Sequence, residues 1–270
     1  MKPIDVHSFV EVAEGIYWVG KSEEEKGLHA NPYIIVEGDE AVVIDGGSRP
    51  DFSQVMLKII SAGIKPEKIK LLIYQHYDPD LCGSIPHFEE LINRTDLVIL
   101  SQRHNNVFIN HYGTISKKNC INIINKEWIF STGRKLKFFN TPYSHSPGSF
   151  ITFDEKTGSL FSSDLFGSYD NGWNLYHKVL PACDGCISYH QCPQNEQCFV
   201  PGIEHFHKLI MTSNKALKYA LDQLSPLAIN RILPQHGGII EGFTASQTII
   251  KKLYTFDGIG IDGMIEGKIF

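Results

Sequence analysis

Leu71-Leu-Ile-Tyr-Gln-His-Tyr-Asp-Pro-Asp-Leu81 organises this chain. It begins as a short apolar run, and Ile69 to Tyr74 reads as a buried strand. Asp78-Pro79 ends that strand, because proline lacks a backbone donor and restricts the residue before it. His76, Asp78 and Asp80 therefore stand on a loop just past a strand's carboxyl end, where open α/β sheets place their sites.

Moving outward toward the N-terminus, Asn31 to Val36, a Gly38-Asp39 turn and Ala41 to Ile44 read as a β-hairpin. Gly15 to Gly20 reads as an earlier strand, and Phe52 to Ala62 has helical periodicity. On the C-terminal side Pro86 opens a helix to about Asn93, and Leu97 to Leu100 is a buried strand. Residues 103–127 read as polar and helical. Leu136 to Phe139 is a strand ending in Thr141-Pro-Tyr-Ser-His145. Ser149 to Phe153 and Leu160 to Ser162 form a hairpin ending at Asp164, and a long helix is expected from about Ile203 to Leu224. Arg231 to Leu233 is a short strand that runs into Pro234-Gln-His236-Gly-Gly238.

Composition bounds the function. The 270 residues are 42% hydrophobic and 20% charged, enough for a sizeable core and too apolar for a disordered chain. The net charge is -5, the pI is near 6.2, and no basic stripe is present, which argues against a nucleic-acid partner. No apolar segment approaches membrane-spanning length and the N-terminus has no signal-like core, so a cytoplasmic protein without a membrane partner is expected. There is no internal repeat and no linker-like composition, so residues 1–270 read as one domain.

Four strand ends thus carry a histidine or a carboxylate: His76, Asp78 and Asp80 on the first, then His145, Asp164 and His236. A single histidine at such a place is usually a hydrogen-bonded structural residue. Six residues on four successive loops form a pattern, and three imidazoles with three carboxylates suit two divalent ions sharing a bridging carboxylate.

On these residues the chain resembles the metallo-β-lactamase fold and, within it, the flavodiiron proteins, from Gly15 to about Gly242. The family's diiron motif is H-x-E-x-D-H followed by a distant His, Asp and His. His76-Tyr-Asp78-Pro-Asp80-Leu81 follows it with Asp78 in place of the Glu and Leu81 in place of the second His. Thr141-Pro-x-x-His145, Phe161-Ser-Ser-Asp164 and Pro234-Gln-His236-Gly are similar to the remaining ligand loops. The resemblance implies an αββα sandwich within the α/β (α+β) class. It also implies one iron on His76, Asp78 and His145, a second on Asp80 and His236, and Asp164 as the bridge. Leu81 cannot ligate, which implies an open position for O2 or NO. Flavodiiron proteins add an FMN-binding flavodoxin domain. This chain stops at Phe270 without room for one, so no FMN is expected and it is more similar to stand-alone oxygen-binding diiron proteins. Zinc hydrolases of the same fold have a second His where Asp78 stands, and a carboxylate-rich site favours iron over zinc.

Cys183, Cys186, Cys192 and Cys198 have the spacing C-x2-C-x5-C-x5-C, four thiolates within sixteen residues. A chain without a signal peptide suggests metal before disulfides. A [4Fe–4S] cluster suits one close pair followed by single cysteines, with structural zinc and disulfides as the other readings. Cys82 and Cys120 are isolated and read as buried or incidental. Tyr77, Tyr143 and Tyr169 flank ligand positions, where each reads as wall or as a hydrogen-bond donor to a bound oxygen species. His29 precedes a strand that approaches the site and reads as a supporting residue. His190 lies inside the cysteine loop, where four cysteines already suffice, and the remaining histidines read as surface or structural.

The expectation is a non-haem diiron protein that binds O2 or NO and reduces it with electrons from the cysteine-bound cluster. The rivals are a sensor that binds O2 and signals to a partner without rapid turnover, and a zinc hydrolase. Partners expected are an electron donor or signalling protein and, by the family's habit, a second copy in a homodimer.

Overall fold

A computed structural model describes residues 4–21, 28, 30–112, 120–123, 127–169, 173–184, 186, 192 and 198–267. The chain begins with β1 (Val10–Ala13), β2 (Ile16–Trp18), β3 (Tyr33–Glu37) and β4 (Glu40–Ile44), joined antiparallel. Helix α1 (Phe52–Ser61) then leads to β5 (Ile69–Ile73). Helices α2 (Pro79–Cys82) and α3 (Ile85–Ile92) lead to β6 (Val98–Ser101), and α4 (Arg103–Ile109) to β7 (Cys120–Asn122). Pairing from β4 through β7 is parallel, and these seven strands lie in chain order in one sheet.

The second sheet comprises β8 (Glu127–Ile129), β9 (Lys135–Asn140), β10 (Phe150–Asp154), β11 (Ser159–Phe161), β12 (Arg231–Leu233) and β13 (Ile240–Glu241). Its spatial order also follows the chain, and only β11 and β12 run parallel. The chain between those two contains α5 (Val200–Ile210) and α6 (Asn214–Asp222), while α7 (Phe243–Leu253) and α8 (Ile261–Ile265) follow β13.

Alternation along the strands decides which face meets which layer. Tyr33, Ile35, Val42, Ile44, Leu71 and Ile73 point inward and meet Phe138, Phe150, Phe161 and Leu233 of the other sheet. Ile34, Val43 and Leu72 point outward and pack on Val55, Met56 and Ile59 of α1 and Phe88 of α3. On the second sheet Ile151, Leu160 and Ile232 point outward onto Ile203 and Phe206 of α5, Leu217 of α6 and Ile249 of α7. Three apolar layers between four structural layers make the αββα sandwich that the resemblance implied. None of the described helices is long and apolar enough to cross a membrane.

Two expectations are corrected. The polar helix of residues 103–127 ends at Ile109, and β7 and β8 take up its second half within the described residues. The long helix of 203–224 is two helices, α5 and α6, because Ser213 starts a new one. Its backbone is extended and its Oγ accepts from the Ala216 N–H at 3.2 Å. The break has a task, since Thr212 Oγ1 in the gap donates to the carbonyl of Tyr143 at 2.7 Å, two residues before His145.

Candidate metal centre

All four ligand loops leave the same end of the sandwich. Gln75, at the end of β5, joins the sheets there: its Nε2 donates to the carbonyls of Phe150 at 3.0 Å and Phe161 at 2.9 Å. His76 follows with 1% exposure, held by a hydrogen bond between its Nδ1 and Ser163 Oγ at 3.0 Å. That contact leaves Nε2 facing the centre, the arrangement metal-binding imidazoles use. Asp78 sits at the N-cap position of α2 and Asp80 lies in its first turn, so the segment read as a loop is in part a short helix started by Pro79.

The six candidate ligands converge around Asp164, which is 2% exposed. Its Oδ2 lies 3.0 Å from His145 Nε2 and 3.6 Å from His76 Nε2. Its Oδ1 faces the other way, 3.5 Å from His236 Nε2. Asp78 Oδ2 is 3.2 Å from His145 Nε2 and 3.9 Å from His76 Nε2, while Asp80 Oδ2 is 3.2 Å from His236 Nε2. The donors thus fall into two groups, His76, Asp78 and His145 on one side and Asp80 and His236 on the other, with one oxygen of Asp164 toward each. One atom from each of His76, Asp78 and His145 lies within 4.8 Å of the others, close enough to share an ion.

The electrostatics call for cations at this centre. Burial opposes the charge on Asp164, yet His76, His145 and His236 hold its carboxyl well below the usual carboxylate range. Burial would lower His145, but hydrogen bonds to Asp164 and Asp78 push it up to about 10. Asp164 Oδ1 is buried and has no hydrogen-bond partner among the described residues. A buried carboxylate oxygen without a donor is costly, and a metal ion on that side would satisfy it. Three imidazoles, three carboxylates and this orphaned oxygen fit a pair of divalent ions.

Other residues at this end are not evident from the ligand pattern. Asp45, at the end of β4, is buried beside the centre and accepts from the Gln75 N–H at 2.9 Å. Burial pushes its carboxyl well up, with Asp164 and Asp80 adding to the effect. Its signal in the sequence is a strand that ends in Asp45-Gly46-Gly47. Asn31 pins the His236 loop: Nδ2 donates to the carbonyls of Pro234 at 3.1 Å and Gly237 at 2.8 Å, and its backbone N–H donates to Gln235 O at 2.7 Å. Gln235 Nε2 in turn donates to Asp80 Oδ2 at 3.0 Å. Asp45, Tyr143, Ser163 and Phe166 all have positive φ, a conformation costing about 1–3 kcal/mol per non-glycine residue. Each lies on a loop at this end, so backbone strain gathers around the centre.

The flanking residues separate. Leu81 is fully buried and packs in the core under α1 and α3, offering the centre no donor. Tyr77 stacks on Phe108 with centroids 4.3 Å apart, and Tyr143 is 54% exposed. His29 lies outside the described residues, as does the Cys120 side chain. Cys82 is buried, with Sγ 3.5 Å from the carbonyl of His76. A cleft of about 830 Å³ lined by Ser48, Arg49, Pro79, Asp80 and Tyr112 opens beside the second group of donors.

Cys183, Cys186, Cys192 and Cys198 are free thiols, each partly buried. Burial raises the Cys198 thiol, and Cys192, Cys183 and Cys186 raise it further. This segment rests on α7: Thr248 Oγ1 donates to Asp184 Oδ1 at 3.2 Å, and Lys252 Nζ donates to the carbonyl of Cys186. Four cysteines on one short stretch offer the donor chemistry of a thiolate-bound metal group, while the donors close enough to share one ion among the described residues are His76, Asp78 and His145.

A model of the ODP family beta lactamase matches residues 28–237. The type A flavoprotein of Rhodobacter capsulatus is 25% identical over 245 residues, 86% of this chain and 52% of that protein. The anaerobic nitric oxide reductase flavorubredoxin of Vibrio vulnificus is 25% identical over 207 residues, 67% of this chain and 39% of that protein. The chain therefore spans about half the length, or less, of these curated relatives. A solved structure of the peroxy diiron species of chemotaxis sensor ODP superposes with a TM-score of 0.76 at 22% identity, over 96% of this chain and 99% of that one.

Proposed function

Because the chain belongs to the ODP family of beta-lactamase-like proteins, we propose that it is a non-haem diiron protein that binds O2 or NO. The observation that carries this reading is Asp164, buried between two donor groups with one oxygen toward each and, among the described residues, no hydrogen-bond donor to Oδ1. His76, Asp78 and His145 would hold one iron, Asp80 and His236 the other, with Asp164 bridging. Bound irons supply the electrons and the affinity for a diatomic gas.

The chain's own residues prepare that chemistry. Ser163 sets the ring of His76 so that Nε2 faces inward. To serve as a ligand, His145 would give up the proton on Nε2 that Asp164 and Asp78 hold there. Leu81 contributes no donor, leaving the second iron one protein ligand short of the family pattern, and the cleft at Asp80 gives a small molecule access to that side.

In the same reading Cys183, Cys186, Cys192 and Cys198 hold a [4Fe–4S] cluster that supplies electrons. A second reading, a sensor that binds O2 and signals to a partner, draws support from the near end-to-end match to the chemotaxis sensor. Steady-state O2 consumption with a reductant separates the two. Metal analysis with Mössbauer spectroscopy of anaerobically purified protein tests the metal assignment. The expected result is a coupled iron pair plus cysteine-bound iron, with Asp164→Ala losing the pair and keeping the rest. Zinc in place of the iron pair would overturn the proposal.

A further inference from the structure

The two candidate metal sites are joined by a short run of contacts. Cys198 is followed by Phe199, whose ring stacks on the imidazole of His177 with centroids 4.0 Å apart and planes 8° from parallel. His177 Nε2 accepts from the backbone N–H of Gly238 at 3.1 Å, and Gly238 is two residues past His236. The approach is built into the backbone. A Cβ on Gly238 would come within 2.7 Å of the Asn174 carbonyl oxygen and 3.1 Å of His177 Cγ, so glycine alone admits the imidazole here. Two further hydrogen bonds hold the same two segments together, His177 N–H to Ile239 O at 2.9 Å and Ile239 N–H to Leu175 O at 2.7 Å. His177 keeps part of its surface exposed, yet its ring lies in desolvated surroundings that push its pKa down to about 3. The neutral ring has the lone pair this hydrogen bond needs.

We propose that Phe199 and His177 carry electrons between the cysteine site and the metal held by His236, within a single protomer. This rests on the reading of both sites given above. An external one-electron reductant loses an electron to the cysteine-bound cluster. The electron then passes from Cys198 through the stacked rings and the Gly238 amide to the His236 side, where one ferric ion becomes ferrous. Two such transfers convert a diferric pair to a diferrous one, and no bond forms or breaks at Phe199 or His177. The competing route runs along α5 to Phe206, whose ring lies 5.5 Å from that of His236.

The test mixes oxidised, fully loaded protein anaerobically with less than one equivalent of dithionite. Stopped-flow absorption follows bleaching of the iron–sulfur chromophore and its recovery, and freeze-quench electron paramagnetic resonance follows the one-electron-reduced iron pair. In the parent protein, recovery should be independent of protein concentration and keep pace with the iron-pair signal. Phe199→Leu should slow recovery by an order of magnitude at unchanged iron content, while Phe199→Tyr, which keeps the stack, restores it. Val179→Ala, a loss of packing in the segment of His177 but off the route, should leave recovery at the parent rate. Parent-like recovery in a fully loaded Phe199→Leu protein would overturn the route and leave the two metal sites standing. Equal slowing in Val179→Ala would overturn it as well, by showing a general packing effect. If the parent protein lacks an iron–sulfur chromophore, the cysteine-site reading falls and the route falls with it.

Discussion

The two ends of the sandwich both bury carboxylates, but they neutralise them differently. At the end away from the ligand loops Asp154 is fully buried, and Arg134 grips it with two hydrogen bonds of 2.8 Å. Arg134 also reaches Glu37 at 3.1 Å, which ties β3 of one sheet to the start of β9 and the end of β10 in the other. At the ligand end Asp164 is as deeply buried, and the ion pairs it makes among the described residues are all with histidines. The first end carries its own permanent cation. The second relies on groups whose charge depends on pH, concentrates positive-φ residues, and leaves Asp164 Oδ1 without a hydrogen-bond donor among the described residues. One end is therefore self-sufficient, and the other is shaped for a charge brought from outside.

The largest effect should come from breaking the self-sufficient end. Arg134→Met leaves Asp154 buried without its cation, and removing one partner of such a pair costs about 3–5 kcal/mol. Denaturant unfolding should show that loss, while the folded fraction keeps the iron content of the parent. A matching loss of iron would mean the two ends are not independent. A smaller effect is expected at the ligand end. Ser163→Ala removes the group that orients His76, and loss of such a partner lowers metal affinity by roughly 10–100-fold. Competition with a chelator measures this, and the metal-free fold should lose about 1–3 kcal/mol as well, because the buried His76 Nδ1 is left without its partner.

The smallest effect concerns pH. His207 is fully buried on α5, its Nδ1 hydrogen-bonded to the carbonyl of Ile203 at 2.8 Å, and burial pushes its pKa down to about 4. The unfolded chain protonates this histidine near 6.5. On acidification the unfolded state therefore takes the proton first. The stability associated with His207 is complete above about 6.5 and is lost as pH falls from there to about 4. At pH 5.5 the loss is about 1 kcal/mol. Metal-free protein should show this acid-side decline in unfolding experiments, and His207→Leu should make it shallower by that amount, leaving the share of His177, whose pKa is also pushed down.

Much of this molecule was legible in its sequence, and the reason is local. Each ligand loop follows a run of apolar or alternating residues and ends in a chemically distinctive side chain, so strand and site announce each other. The hairpin of β3 and β4, the strand before His76 and the strands before His145, Asp164 and His236 all lie where the pattern placed them. The break between α5 and α6 was not legible, because both helices present apolar faces to the same layer and Ser213 resembles any exposed serine until its cap is seen. The polar residues after 103 carry weak periodicity, so neither the end of α4 nor the strands β7 and β8 stood out. Asp45, Asn31 and Ser163 were missed because their roles arise from contacts across the two sheets. Asn31 and Gly237, for example, are separated by 206 positions in the chain.

The central claim is that two irons flank Asp164. Crystals of anaerobically purified protein, measured on both sides of the iron absorption edge, test it most directly. Two anomalous peaks are expected there, one among His76, Asp78 and His145 and one between Asp80 and His236, with an oxygen of Asp164 directed at each. A single peak, or a peak pair that persists at the zinc edge and vanishes at the iron edge, would contradict the account.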